Sequence, residues 1–139
     1  MRSQRWIAIG FWGLLAVSCS SMVSVIPPDA KTVTRMAVTH GRIHRYLKEH
    51  RVVPADLSVL PERGGFDNRT TDGWGRPLIY SADDQGIISL TSLGRDGQVG
   101  GDDDDEDIVR QYRTRNEDGT LNIDDEFWII DSLVFPDAE

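Results

Sequence analysis

Apolar residues fall into three patterns along this 139-residue chain. Trp6 to Val17 is one uncharged apolar run. Between Pro28 and Pro54 the apolar positions recur at three- and four-residue spacing, as Val33, Met36, Ala37, Ile43, Tyr46 and Leu47. That period predicts an amphipathic helix with its apolar stripe toward a core and basic residues on the opposite face. Asp29, just after Pro27-Pro28, is placed to cap this helix. Pro54 is placed to end it, because the residue before a proline avoids helical geometry. Gly41 weakens its middle. Further on, ADLSVLPERGGFDNRTTDGWG reads as a helical turn followed by a loop. The apolar runs then shorten to Leu78–Tyr80 and Ile87–Leu90, split by Asp-Asp-Gln-Gly, which predicts a β-hairpin. A second hairpin is expected around Asp118-Gly119, with the closing FWIIDSLVF as a strand or a short helix. One long helix followed by a small antiparallel sheet is an α+β arrangement.

Charge sharpens this picture because it is unevenly spread. Up to Gly101 there are 12 Lys and Arg against 9 Asp and Glu; from Asp102 onward there are 3 against 14. The second half is therefore a net anion, which argues against a nucleic-acid partner and makes a cation the natural one. No nucleophile elbow of the G-x-S-x-G type is present, and no small-molecule substrate suggests itself. His40 and His44 share a helical spacing that suits zinc, but no third ligand accompanies them, so they read as ordinary surface histidines. NEDGTLNIDDE is a poor calcium-hand loop and a better turn, since Thr114 would fall at its first ligand position. Trp74 and Trp128 read as core aromatics anchoring the sheet.

The N-terminus combines Arg2 and Arg5 with the apolar run, the layout of a signal peptide. LAVSC, ending on the chain's single cysteine, resembles a bacterial lipobox, which implies cleavage before a lipidated Cys19. Two other readings stay open: an uncleaved membrane anchor extending to Pro28, and a plain signal with an incidental cysteine. All three export the domain, to the cell membrane or to the outer membrane facing the periplasm. The resulting division is a signal over 1–18, a linker over 19–30 and a globular domain over 31–139.

Asp72-Gly73-Trp74-Gly75-Arg76-Pro77-Leu78-Ile79-Tyr80 resembles the D-P-W-G-x-P-Y-x-Y segment that leads into the sheet of the major pseudopilin of type II secretion. DDQGIISLTSLGRDGQVGGDDDDEDI is similar to that family's next strand and calcium loop, and YLKEHRVVPADLSVL to the end of its helix. The resemblance spans residues 31 to 110. Two features depart from it. The chain lacks the early glutamate of a prepilin-type N-terminus, and Gly73 stands where the family has proline.

The resemblance implies a structural calcium ion. Asp96, Asp105 and Asp107 would be its side-chain ligands, and the carbonyls of Leu93 and Gln98 would complete the shell. Asp102, Asp103 and Asp104 would then be solvated spectators, with Glu106 able to turn either way. A run of six acidic residues, Asp102 to Asp107, is more often a simple solvated face; the resemblance of the frame around it to the pseudopilin calcium loop is what turns the reading toward a metal. The expected function is that of an exported, membrane-anchored, non-enzymatic component that interacts with envelope proteins and is linked to type II secretion. A fibre subunit that keeps its N-terminal helix is the alternative. A calcium-dependent hydrolase is less favoured, because no base or nucleophile stands beside the loop.

Overall fold

A computed structural model describes residues 25–124 and the strand at 128–131. Cys19, the signal over 1–18 and most of the linker lie outside the described residues, as do the side chains of the last strand, Trp128 included. The elements are a helix, α1 (Pro28–His50), and four strands: β1 (Ile79–Ala82), β2 (Ile87–Ser92), β3 (Ile108–Arg113) and β4 (Trp128–Asp131). All neighbours are antiparallel in the order β1-β2-β3-β4. A single 3-10 turn at Leu57–Val59 follows the helix, and a second at Asp103–Asp105 lies in the acidic run. The α+β expectation holds, and so do both hairpins.

Each hairpin follows from its turn chemistry. Asp83 closes the first, its carboxylate accepting the Ile87 amide at 2.7 Å while Gly86 takes φ +81. Tyr80 then faces Leu90 and Ala82 faces Ile88. In the second, Asn116 N–H donates to the Thr120 carbonyl at 2.8 Å and Gly119 takes φ +82, a conformation glycine adopts without strain. Asn116 to Thr120 is thus a hairpin turn.

β2 alternates strictly, with Ile88, Leu90 and Ser92 buried and the residues between them partly exposed. This is the pattern of a sheet with one face on a core. The core joins Ile88 and Leu90 to Tyr112 of β3, to Leu60 and Leu78 of the loop, and to Met36, Ile43 and Leu47 of α1. Each such side chain contributes on the order of 1.5–3 kcal/mol by leaving water.

The helix departs from its sequence reading at both ends and on its buried face. Its N-cap is Pro27, with no side-chain cap bond, and Asp29 lies in the first turn, where a carboxylate still complements the helix dipole. It ends at His50, not at Pro54, because Arg51 turns left-handed (φ 59) and donates its N–H to the Leu47 carbonyl at 2.9 Å. The basic residues do not all occupy the outer face. Arg35 and Arg42 are 4% and 5% exposed, Thr32 and Thr39 are buried beside them, and Ala37 is exposed. Gly41 leaves the helix uninterrupted; the space beside it holds the Arg63 guanidinium.

Those two arginines hold the long loop against α1. Arg42 donates to the carbonyls of Leu60 (3.1 Å), Pro61 (2.8 Å) and Asn68 (2.7 Å). Arg35 pairs with Asp67 at 2.9 Å and donates to the Thr71 hydroxyl at 3.1 Å and to the Asp72 carbonyl. Arg69 and then Arg35 hold the Asp67 carboxyl far below the usual carboxylate range. Gly73 completes the docking: its N–H donates to Thr32 Oγ1 at 2.7 Å, and a Cβ there would overlap the Pro28 carbonyl. The departure from the family's proline is therefore dictated by contact with the helix.

His40 and His44 are half-buried rather than exposed. His40 stacks on Tyr112 with ring centroids 4.1 Å apart and planes 5° from parallel. Burial, helped by the neighbouring His44, pushes its pKa down to about 4.

Two predictions follow from these contacts. Gly73→Ala should cost roughly 1–3 kcal/mol through overpacking, read as a lowered midpoint in thermal melting. Gly73→Pro should cost more, because it also removes the amide that Thr32 accepts; a proline variant as stable as the parent would refute the contact. The second concerns pH. The unfolded chain gains a proton on His40 near pH 6.5, whereas the folded chain refuses it until about 4. Stability from this group is complete above 6.5 and declines as pH falls toward 4, by at most about 3 kcal/mol. Urea titrations of the parent and of His40→Phe, which keeps a ring on Tyr112, should diverge across that window.

Candidate functional site

The acidic run and the turn before it join the end of β2 to the start of β3, so both ends are fixed by the strand ladder from Thr91↔Val109 to Ser92↔Ile108. Between them the chain folds back on itself. Arg95 N–H donates to the Asp104 carbonyl at 2.8 Å, Gly97 N–H to the Leu93 carbonyl at 3.0 Å, and Asp105 N–H to the Asp102 carbonyl at 3.0 Å. Gly94 and Gly101 both lie against the Asp105 carbonyl, so closely that neither position has room for a Cβ. Both also take positive φ, 55 and 100, so two independent constraints demand glycine there.

Each expected ligand occupies a defined place. Asp96 Oδ1 accepts the Gln98 amide at 2.9 Å, an Asx-type turn that fixes its rotamer. Asp105 is gripped by the Arg95 guanidinium in two parallel bonds, at 2.9 and 3.0 Å, and Arg95 also reaches Asp104 at 3.2 Å. Asp105 raises the Arg95 pKa, with a further contribution from Asp104. Asp107 Oδ2 accepts the Gly100 amide at 3.0 Å, whereas its Oδ1 is buried with no hydrogen-bond partner. Gln98 is exposed and Leu93 partly so. Among the described residues, no three Asp, Glu, His or Cys side chains converge as a metal cluster. The cation set against Asp105 is Arg95.

This arrangement corrects two expectations. Asp104 is not a bare spectator, since both its carbonyl and its carboxylate hold Arg95. Trp74 is not a core residue: it is partly exposed, with the Arg76 guanidinium 5.9 Å from its ring centre.

The sequence reading also missed what supports the loop from beneath. Asp72 is 1% exposed. Its Oδ1 accepts the amides of Trp74 (3.0 Å) and Arg76 (2.8 Å), and its Oδ2 accepts the Ser92 hydroxyl at 3.0 Å. Arg76 pairs with the same carboxylate at 3.3 Å and carries on to the carbonyls of Gly94 and Arg95. A chain of hydrogen bonds thus runs from Asp72 through Arg76 into the first turn of the acidic loop. The signal available was the Asp-x-Trp-x-Arg spacing, since an aspartate before a turn binds amides two and four residues on.

Over residues 60–111 the chain matches the model of the family described as type II secretion system (T2SS), protein G. Among curated proteins none matches. The matched stretch takes in the loop that Arg42 and Arg35 clamp, the Asp72 turn, β1, β2, the acidic loop and most of β3; it excludes α1 and β4. This chain is similar to T2SS protein G across its candidate site and the sheet beneath it.

Proposed function

We propose that this chain is a non-enzymatic, exported assembly component linked to type II secretion, anchored through a lipid on Cys19, with a loop that takes a calcium ion. The observation that carries the reading is the protein G match over 60–111, which takes in β1, β2, most of β3 and the whole of the acidic loop. Among the described residues no helix is long and apolar enough to cross a membrane. In this reading the lipid, at about 0.8 kcal/mol per buried CH₂, holds the domain at the membrane surface.

The donors fit calcium chemically, being hard oxygens on a glycine-rich loop. The buried Asp107 Oδ1, without a partner, is the strongest point in favour. Asp96, Asp105 and Asp107 would supply the side chains, and Leu93 and Gln98 the carbonyls. Asp105 can join them only by releasing Arg95. Calcium affinity therefore carries the cost of parting that ion pair, which is modest because Arg95 is exposed. The gain is relief of repulsion among six adjacent carboxylates.

Two measurements test this. At free calcium a hundredfold above its Kd, the melting temperature should rise by on the order of 10 °C over that in chelator, and Asp107→Asn should abolish most of the rise. A melting curve indifferent to both calcium and chelator rules out the ion. Mass spectrometry of the N-terminus should find diacylglyceryl-Cys19 as the first residue. An intact apolar segment would instead make the chain a fibre-type subunit with its helix retained, and an unmodified cysteine would remove the anchor.

A further inference from the structure

Between the first turns of α1, the Asp72 turn and the acidic loop lies a cavity of about 120 Å³ that the calcium reading touches at Asp107 alone of its ligands. Val33, Trp74 and Ile108 give it an apolar floor, and Asp29, Asp103, Asp104 and Glu106 give it a carboxylate rim. Asp107 lines it as well, and Arg110 is its one cationic residue.

We propose that this groove receives one arginine or lysine side chain from a basic segment of a protein partner. The inference rests on the assembly reading above, and adds to it the chemistry of the partner. Three observations point to such an occupant. The charge is complementary, with five carboxylates lining the groove against Arg110 and the Arg95 that pairs with Asp104. Its shape suits an amphipathic side chain: a long aliphatic stem lies on Val33 and Ile108 while its charged head reaches the rim. The local groups already pair with guanidinium in this protein, since Arg76 lies over the Trp74 ring and Arg95 forms a two-bonded pair with Asp105 beside the groove. A planar donor at the groove would meet the same indole and the same kind of carboxylate. The aspartates that sequence reasoning set aside as spectators, Asp103 and Asp104, become recognition residues.

The test is calorimetric titration of the full chain in detergent with acetyl-Arg-Arg-Arg-amide, in low salt with chelator, using acetyl-Glu-Glu-Glu-amide as control. One-site binding of the arginine peptide alone is expected. Trp74→Ala should weaken it about fivefold, whereas Trp74→Phe, which keeps a ring, should retain most of the affinity and exposes any effect of misfolding. Asp103→Asn with Asp104→Asn should weaken binding and flatten its salt dependence, and Asp96→Asn, aimed at the calcium loop, should leave it unchanged. Absence of binding overturns the proposal. So does equal affinity in Trp74→Ala, because the peptide would then sense only diffuse negative charge. Either result leaves the calcium melting shift and the lipidated N-terminus untouched, so failure of the groove and failure of the assembly reading are separable.

Discussion

Two guanidinium groups seven residues apart on one helix hold this fold together. Arg35 and Arg42 lie two turns apart on the same face of α1, and both are buried against a loop that has almost no regular structure. Such a loop carries carbonyls that no ladder satisfies, and a buried carbonyl without a donor costs free energy comparable to a lost hydrogen bond. Arginine suits this position because its planar fork addresses several acceptors at once and cannot deprotonate. Arg42 meets three carbonyls and Arg35 a carboxylate, a hydroxyl and two carbonyls. Removing either would strand several acceptors together, at about 1–3 kcal/mol for each one buried. Everything downstream inherits its position from this clamp: the Asp72 carboxylate, the Arg76 relay and the floor of the acidic loop.

Elements governed by local rules were legible in the sequence. Both hairpins could be read because Asp-Asp-Gln-Gly and Asp118-Gly119 specify their turns within four residues, and β2 because its alternation reports one buried face. The helix was legible as an element and misread as a surface. Periodicity treats arginine as an outward residue, and here the inward stripe is half polar, with Thr32, Arg35, Thr39 and Arg42 beside Met36, Ile43 and Leu47. No rule of spacing distinguishes an arginine that faces water from one that faces carbonyls 18 to 37 residues further along the chain. Gly73 is similar. The sequence showed only that it departs from the family's proline, and the reason is the Pro28 carbonyl, brought against it by the same docking.

The candidate site was legible in its glycines and less so in its charges. Gly94 and Gly101 are required by positive φ and by the Asp105 carbonyl packed between them, which is the backbone economy expected of a loop that turns its oxygens inward. Which carboxylate meets which cation depends on geometry across the loop, where Arg95 stands one residue from Asp96 yet reaches Asp105 and Asp104. A sequence scan for ligands counts acids and passes over the arginine among them. A guanidinium paired to two neighbouring carboxylates lowers their mutual repulsion in the way a divalent ion would, though more weakly, because at an exposed site the pair is screened by water and salt.

The distribution of cations also sets the character of the surface. Most described arginines before the acidic loop have a partner within the domain: Arg35 and Arg42 face the loop, Arg69 pairs with Asp67, Arg76 with Asp72, and Arg45 with Glu49 along the helix. Their guanidinium groups are committed to acceptors close by, and few are left to offset carboxylates elsewhere. Asp29, Asp103, Asp104 and Glu106 therefore line the groove beside Arg110, with Arg95 shared by Asp104. Carboxylates gathered around an apolar floor raise the local potential for a cation more than the same charges dispersed over open surface, because the low-dielectric walls focus the field. The inward use of arginine by the fold and the acidity of its presented face are thus two consequences of one allocation of charge. A partner of opposite sign is what such a face is built to select.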